Sequence, residues 1–258
     1  RYNNLTTNNS YDAAYQVKLD DSGNVYVTGM SSGNGTQYDY ATVKYNSSGV
    51  QQWVVRYDCA GFYDEPASMV VDGSGNAYVT GQSTNSGGNA GYATIKYNSS
   101  GVQQWAARYS GTEYNVAAAL SICVDDSSNV YVTGTSSDNG KSSDFATIKY
   151  NSSGDQQWIA IYNGPGNDVD IAHSIAVDRS GGVYVTGSNY GSGTSYDFAT
   201  IKYSSSGDQQ WIERYNGTGN DWDRALSIAL DRSGNVYVTG FSYDFETETD
   251  YATIKYSQ

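Results

Sequence analysis

Four aspartates, Asp12, Asp64, Asp170 and Asp223, stand at the same distance before a second recurring aspartate (Asp20, Asp72, Asp178 and Asp231), with Ala117 taking the fifth place. Carboxylate oxygens are the ligands of hard cations, so four such side chains brought together would attract Ca²⁺. The competing reading is that each accepts hydrogen bonds from backbone amides of its own connection. Asp168 and Asp221 add negative charge in two of the copies. The loop Asp20-Asp-Ser-Gly-Asn24 and its copies look like a calcium loop, but they lack its further acidic ligands and its distant bidentate Glu. They read as hairpin turns with Gly in the left-handed conformation.

Acid–base and nucleophilic chemistry has little to work with. The one histidine, His173, aligns with Tyr15, Ala67, Leu120 and Leu226 in the other copies and reads as a packed strand residue. Cys59 and Cys123 fall at different repeat positions, which predicts two separate free thiols and no metal knuckle. No zinc motif and no serine-nucleophile signature occurs, so the expectation is that the chain is not an enzyme. Aromatic residues in the variable connections, Tyr63, Tyr114, Tyr190, Trp222, Tyr243 and Phe245, with Phe62 and Phe241 beside them, are the candidate ligand-binding set. Flat rings there stack on sugars or anchor a protein partner. Lys44, Lys96, Lys149, Lys202 and Lys255 recur with Asp39, Asp144, Asp197 and Asp250, a pattern that suits packing or solvated ion pairs. The sequons at Asn46, Asn98 and Asn151 read as turns.

The elements that position these residues come from a repeat. Val-Tyr-Val-Thr-Gly, with Ala77 once replacing Val, ends at Gly29, Gly81, Gly134, Gly187 and Gly240, at spacings of 52, 53, 53 and 53. Ala-Thr-(Val/Ile)-Lys-Tyr keeps the same spacing from Ala41 to Ala252, whereas Gln-Gln-Trp occurs four times, ending at Trp53, Trp105, Trp158 and Trp211. Each copy holds four strand-like runs, a to d, joined by hairpin-length turns: Ala172 to Val177, Val183 to Thr186, Ala199 to Tyr203 and Gln209 to Tyr215 in the fourth. Strand a is small or apolar on both faces, so the meander must stack on copies of itself.

The predicted fold is all-β: a single domain over 1–258, a five-bladed β-propeller with units near 10–57, 62–109, 115–162, 168–215 and 221–258. The start, Arg1-Tyr2-Asn3, matches Arg214-Tyr215-Asn216, so the N-terminal strand 1–5 is expected to complete the last blade. The connections from b to c (Met30 to Tyr38, Gln82 to Gly91, Thr135 to Ser143, Ser188 to Tyr196, Phe241 to Thr249) and from d to a vary most. They emerge on one face, the candidate binding surface. Asp12, Asp64, Asp170 and Asp223 would ring the mouth of the central channel and hold any Ca²⁺ there.

The run Ser174-Ile-Ala-Val-Asp-Arg-Ser-Gly-Gly-Val-Tyr-Val-Thr-Gly187 and its copy from Ser227 to Gly240 resemble the bacterial SBBP-type β-propeller repeat family, and Asp197-Phe-Ala-Thr-Ile-Lys202 continues the resemblance. It implies an extracellular or cell-surface setting within a larger chain. With a net charge of −13, from 14 basic and 27 acidic residues, the chain lacks what phosphate neutralisation needs, so nucleic acid is excluded as a partner. No run is long and apolar enough for a membrane span. The expected function is a non-catalytic binding or adhesion module for a glycan or protein. The alternative is a structural spacer of a larger surface protein, and a metal-assisted hydrolase or lyase ranks last.

Overall fold

The computed structural model describes residues 2, 11–32, 37–110, 117–137 and 142–257. The chain forms two compact units, Arg1–Ile122 and Cys123–Gln258, with the boundary inside strand β9. The described residues form strands and turns with no helix.

The first sheet comprises β1 (Asp12–Leu19), β2 (Val25–Ser32), β3 (Tyr38–Tyr45) and β4 (Gln51–Tyr57). The second comprises β5 (Asp64–Val71), β6 (Ala77–Thr84), β7 (Ala90–Tyr97) and β8 (Gln103–Tyr109). The third has β9 (Ala117–Val124), β10 (Val130–Ser137), β11 (Ser143–Tyr150) and β12 (Gln156–Tyr162). The fourth has β13 (Ile171–Val177), β14 (Val183–Tyr190), β15 (Tyr196–Tyr203) and β16 (Gln209–Tyr215). The fifth has three strands, β17 (Arg224–Leu230), β18 (Val236–Asp244) and β19 (Glu248–Tyr256). Each sheet is ordered as its strands follow in sequence, the meander that the turn spacing predicts. The strand expected to complete the fifth sheet, 1–5, lies outside the described residues except for Tyr2.

The a-to-b turns explain themselves chemically. Asp20 Oδ1 accepts from the Ser22 and Asn24 amides, Asn24 Nδ2 donates to Oδ2, and the Tyr26 hydroxyl caps the same oxygen. Asp72, Asp125 and Asp231 repeat this arrangement, and Asp178 repeats it with the Gly182 amide and the Ser180 hydroxyl where an asparagine stands elsewhere. These carboxylates belong to turns, as the hairpin reading requires. Burial works to raise Asp20, but the bonds from Asn24, Tyr26 and Ser22 hold it below its ordinary value.

The second and third strands of each sheet pair continuously, with a threonine pair at the centre: Thr80 and Thr94 hydroxyls lie 2.9 Å apart, and Thr186 and Thr200 3.0 Å. Pairing runs further than the sequence suggests. Asn189 faces Asp197 and Tyr190 faces Tyr196, so backbone bonding overrides the turn preference of these polar residues. The connections between these strands therefore shrink to 33–37, 85–89, 138–142, 191–195 and 245–247.

The first strand of a sheet meets its neighbour with a bulge. Register shifts between Ala14 and Gln16, Pro66 and Ser68, Ala172 and Ser174, and Ala225 and Ser227, leaving Tyr15, Ala67, His173 and Leu226 as the extra residues. The motif glycine sits against this kink. A Cβ on Gly81 would lie 2.1 Å from the Glu65 carbonyl oxygen, and one on Gly187 2.0 Å from that of Ile171.

Sheets stack face to face within each unit. Tyr26 and Tyr40 of the first sheet bury against Met69, Ala77, Val79, Ala93 and Ile95 of the second. In the second unit, Tyr131 and Phe145 cover Ile175, Val183 and Val185, while Tyr184 and Phe198 cover Ile228, Val236 and Val238. Each fully buried side chain of this size contributes about 1.5–3 kcal/mol. Trp53 and Trp158 reach the next sheet, donating to the carbonyls of Ser99 and Ser205 at 3.1 Å. The recurring lysines pack on aromatic rings. Each ammonium lies 4.8–5.4 Å over the ring of Tyr26, Tyr78, Tyr131, Tyr184 or Tyr237, because the cross-strand register sets Lys opposite that Tyr. Both cysteines are free.

Two faces lack this cover. Val17 of the first sheet is 55 % exposed where its counterpart Met69 is 1 %, and Tyr251 of the fifth is 88 % exposed where Phe198 is 0 %.

Gly81→Ala should destabilise by about 3 kcal/mol or more, because backbone must move to admit the methyl group. Gly49→Ala meets open space and bears only its left-handed backbone, at φ +79°, so it should lose about 1 kcal/mol. Urea denaturation of the two variants measures the difference.

Candidate functional site

The residues before and within the first strand of each sheet carry the variation in chemistry. Within the first unit, Tyr38 at the start of β3 stacks edge-on with Tyr63 at 5.7 Å, and the Tyr63 hydroxyl donates to Glu65 Oε2 at 2.6 Å. Tyr15, at the bulge of β1, hydrogen-bonds the same glutamate, and burial followed by that bond pushes its phenol up to about 12. Two protonated phenols thus converge on one carboxylate. A cleft of about 400 Å³ opens here between Tyr15, Glu65, Ala67, Gln82 and Leu120.

The second unit uses the same frame with opposite charge. Tyr196 at the start of β15 stacks edge-on with Trp222 at 6.2 Å, and Arg224 takes the repeat position of Glu65. Its guanidinium lies 5.3 Å from the Trp222 ring centre and 5.5 Å from that of Tyr196. Among the described residues no carboxylate pairs with it, and its Nε is buried without a hydrogen-bond partner. Trp222 is 52 % exposed. A cleft of about 330 Å³ beside it is lined by Asp221, Trp222, Phe241, Tyr243 and Thr249.

His173 occupies the bulge of β13, with Nε2 buried and unpartnered. Burial, and then the nearby charge of Arg224, lower its pKa to about 4, so the imidazole is neutral at neutral pH. The bulge is what singles it out: at such a kink the extra side chain is re-aimed out of the regular alternation.

The predicted metal aspartates are held by backbone. Asp170 accepts from the Gly164 amide and, at 2.9 Å, from that of Tyr190; Asp223 accepts from Gly217 at 2.6 Å and Tyr243 at 3.2 Å; Asp64 accepts from Cys59 at 2.7 Å. Each clips the connection before its strand, Asp170 and Asp223 also reaching the end of the second strand. Asp12 accepts from the Ser31 hydroxyl. Burial raises Asp170 to about 6 although the Gly164 and Tyr190 amides oppose it.

Of the predicted aromatic set, Tyr63 and Trp222 sit in the two charged frames. Tyr190 and Tyr243 lie on strands and not in loops, Tyr190 against Tyr196 at 5.4 Å and Tyr243 against Phe245 at 5.9 Å. Tyr114 lies outside the described residues. Sequence reasoning passed over Glu65 and Arg224. The signal was present, since Ala13, Ala118 and Ile171 fill that repeat position elsewhere.

The family model described as SBBP, a beta-propeller repeat, matches residues 60–89 and 157–195. Two segments of the chain therefore match the SBBP β-propeller repeat. No curated protein matches the chain significantly. Among solved structures, the chain is similar to a PL25 polysaccharide lyase, an ulvan lyase bound to -[GlcA(1-4)Rha3S]-. Identity is 12%, with 95% of this chain and 68% of that one covered, at a TM-score of 0.51. It is also similar to a putative exo-β-1,3-galactanase from Bifidobacterium bifidum (10% identity, 94% and 86% covered, TM-score 0.50). A protein of unknown function from Dyadobacter fermentans is a third (9%, 94% and 79%, 0.53). At these identities the likeness is one of propeller fold.

The comparison corrects the expectation of a non-catalytic binding module or spacer and of no enzyme activity. Two of the three similar folds are named as enzymes. The expectation rested on the lack of a zinc motif and of a nucleophile signature.

Because His173 is the one histidine, its imidazole C–H resonance can be followed by NMR without assignment. Its midpoint should fall near pH 4. With the folded pKa below the unfolded one, stability should rise as pH increases from about 4 to 6.5, and His173→Leu should remove that slope from urea denaturation series.

Proposed function

We propose that this SBBP propeller cleaves an acidic polysaccharide by β-elimination, binding a uronate carboxylate at Arg224. The observation that carries the reading is a guanidinium held between Trp222 and Tyr196 with no carboxylate partner among the described residues, in a chain of net charge −13. Such a chain repels polyanions at long range, so an acidic sugar needs a local cation, and Arg offers the planar fork that fits a carboxylate. The exposed Trp222 supplies a face for the sugar ring, and Asp221 and Thr249 line the adjoining cleft with polar groups.

Elimination requires three acts. Pairing the uronate with Arg224 makes the proton on the adjacent carbon more acidic. The neutral imidazole of His173 accepts that proton as the double bond forms and the glycosidic C–O bond breaks. The leaving oxygen takes a proton from the Tyr196 phenol, which burial keeps protonated. No oxidant or other co-reactant enters. The ulvan lyase of similar fold holds a glucuronate-containing saccharide, which supports this ligand class. Polymers of this kind lie outside cells, in keeping with an extracellular or cell-surface place for the protein.

We propose further that the five sheets are blades of one propeller and that the amino-terminal residues supply the outer strand of the fifth. The Tyr2 hydroxyl accepts from Arg56 at 3.2 Å, repeating the bond from Arg214 to Tyr162 at 2.7 Å. Tyr2 thus stands toward the first sheet as the last strand of the third sheet stands toward the fourth. Removing residues 1–5 should speed backbone hydrogen exchange along β19, and unchanged exchange there would count against closure.

Incubation with glucuronate-containing polysaccharides should yield an unsaturated uronate, read by its ultraviolet absorbance. Arg224→Met should lower kcat/KM by about tenfold to hundredfold. Reducing ends released without the unsaturated product would mean hydrolysis, and either that result or an unaffected Arg224→Met variant would overturn the elimination reading.

A further inference from the structure

Three carboxylates meet at the junction of the first two sheets, apart from the frames described above. Asp39 lies in β3, Asp58 follows β4 directly, and Asp64 opens β5. One oxygen from each lies within 4.8 Å of the others. Hydrogen bonds account for one oxygen of every member. Arg56 donates through Nε and Nη2 to Asp39 Oδ2, at 3.1 and 2.7 Å; the Cys59 amide donates to Asp64 Oδ2; the Gly61 amide donates to Asp58 Oδ1 at 2.7 Å.

The remaining oxygens are the informative ones. Asp39 Oδ1 and Asp64 Oδ1 are shielded from solvent and have no hydrogen-bond partner, on side chains that are 4 % and 0 % exposed as residues. A buried anionic oxygen left without a donor is strongly disfavoured unless something positive faces it. Arg56 is committed to the other oxygen of Asp39. Asp58 is exposed and gives the pair an open side toward solvent.

We infer that Asp39, Asp58 and Asp64 form a Ca²⁺ site that fastens the end of β4 and its connection to the start of β5. Two oxygens that bind one Ca²⁺ at about 2.3–2.6 Å stand at most about 5 Å apart, which the 4.8 Å grouping satisfies. The donor set is all oxygen and carboxylate-rich, the chemistry of a hard cation. The site is particular to this junction. The pairs Asp144 with Asp170 and Asp197 with Asp223 repeat Asp39 with Asp64, but the position of Asp58 is filled by Asn163 and Asn216 there, and by Ser110 in the second repeat. The inference does not depend on polysaccharide cleavage.

The natural repeats supply the test, because Asp58→Asn installs the residue that two sister junctions already use and should fold. Protein stripped with EGTA and returned to CaCl2 at about a hundred times Kd should gain about 5–10 °C in Tm. Asp58→Asn should keep the Tm of the stripped wild type and lose most of that gain, while Asp155→Asn, in a distant exposed turn, should keep it. Absence of a shift in the wild type would overturn the site. An equal shift in Asp58→Asn would mean Ca²⁺ binding to the acidic surface in general, and would overturn it as well.

Discussion

The motif glycine of each second strand lies close against the bulged first strand beside it, and the rest of the site geometry depends on that approach. At Gly29, Gly81, Gly187 and Gly240 the carbonyl of the facing strand occupies the place where a Cβ would be. That approach lets the first strand kink while keeping its pairing on either side, and the kink sets where Tyr15 and His173 are presented. The glycine is therefore part of the machinery that aims side chains. Its role in ending the Val-Tyr-Val-Thr-Gly pattern is incidental to this.

Around that kink the repeats share a frame and differ in charge. An aromatic residue at the start of the third strand and another ahead of the first strand bracket position 65 in one unit and position 224 in the other. The bracketed group is a carboxylate in the first case and a guanidinium in the second. The hydrogen-bonded turn aspartates and the threonine pairs recur in every sheet, so the scaffold does not have to change when the bracketed residue does. This separation between invariant support and variable chemistry explains how a fold so uniform in sequence can carry one local cationic corner on a strongly acidic chain.

Much of this was legible in the residues. Spacing alone gave the five repeats, the four-stranded meander and the hairpin identity of the Asp20 to Asn24 loop, because period-two patterns and turn chemistry are local. The bulge was not legible, since it depends on the register between two strands and leaves no local mark beyond the glycine. His173 read as a packed strand residue, and the bulge adds only where that side chain is set. The lysines read as packing or solvated ion pairs, and cross-strand geometry supplies the packing by setting them over tyrosines. The aspartates ahead of the first strands were read as a convergent cation set, but three of them are occupied by amides five or six residues upstream. The acidic group with metal-like spacing joins Asp64 to Asp39 of β3 and Asp58 just after β4, which only the pairing of the strands brings together.

The tryptophans that reach from one sheet to the next have a mechanical consequence. Trp53 and Trp158 each rest on a turn glycine, Gly101 or Gly207, of the following sheet and donate to a serine carbonyl in the same turn. Within each unit, cohesion between these sheets is therefore a nearest-neighbour fastening. A chain built in this way, drawn from its two ends, gives way one sheet at a time. Each yielding step releases a length of about 53 residues, so the molecule would behave under tension as a series of graded mechanical fuses.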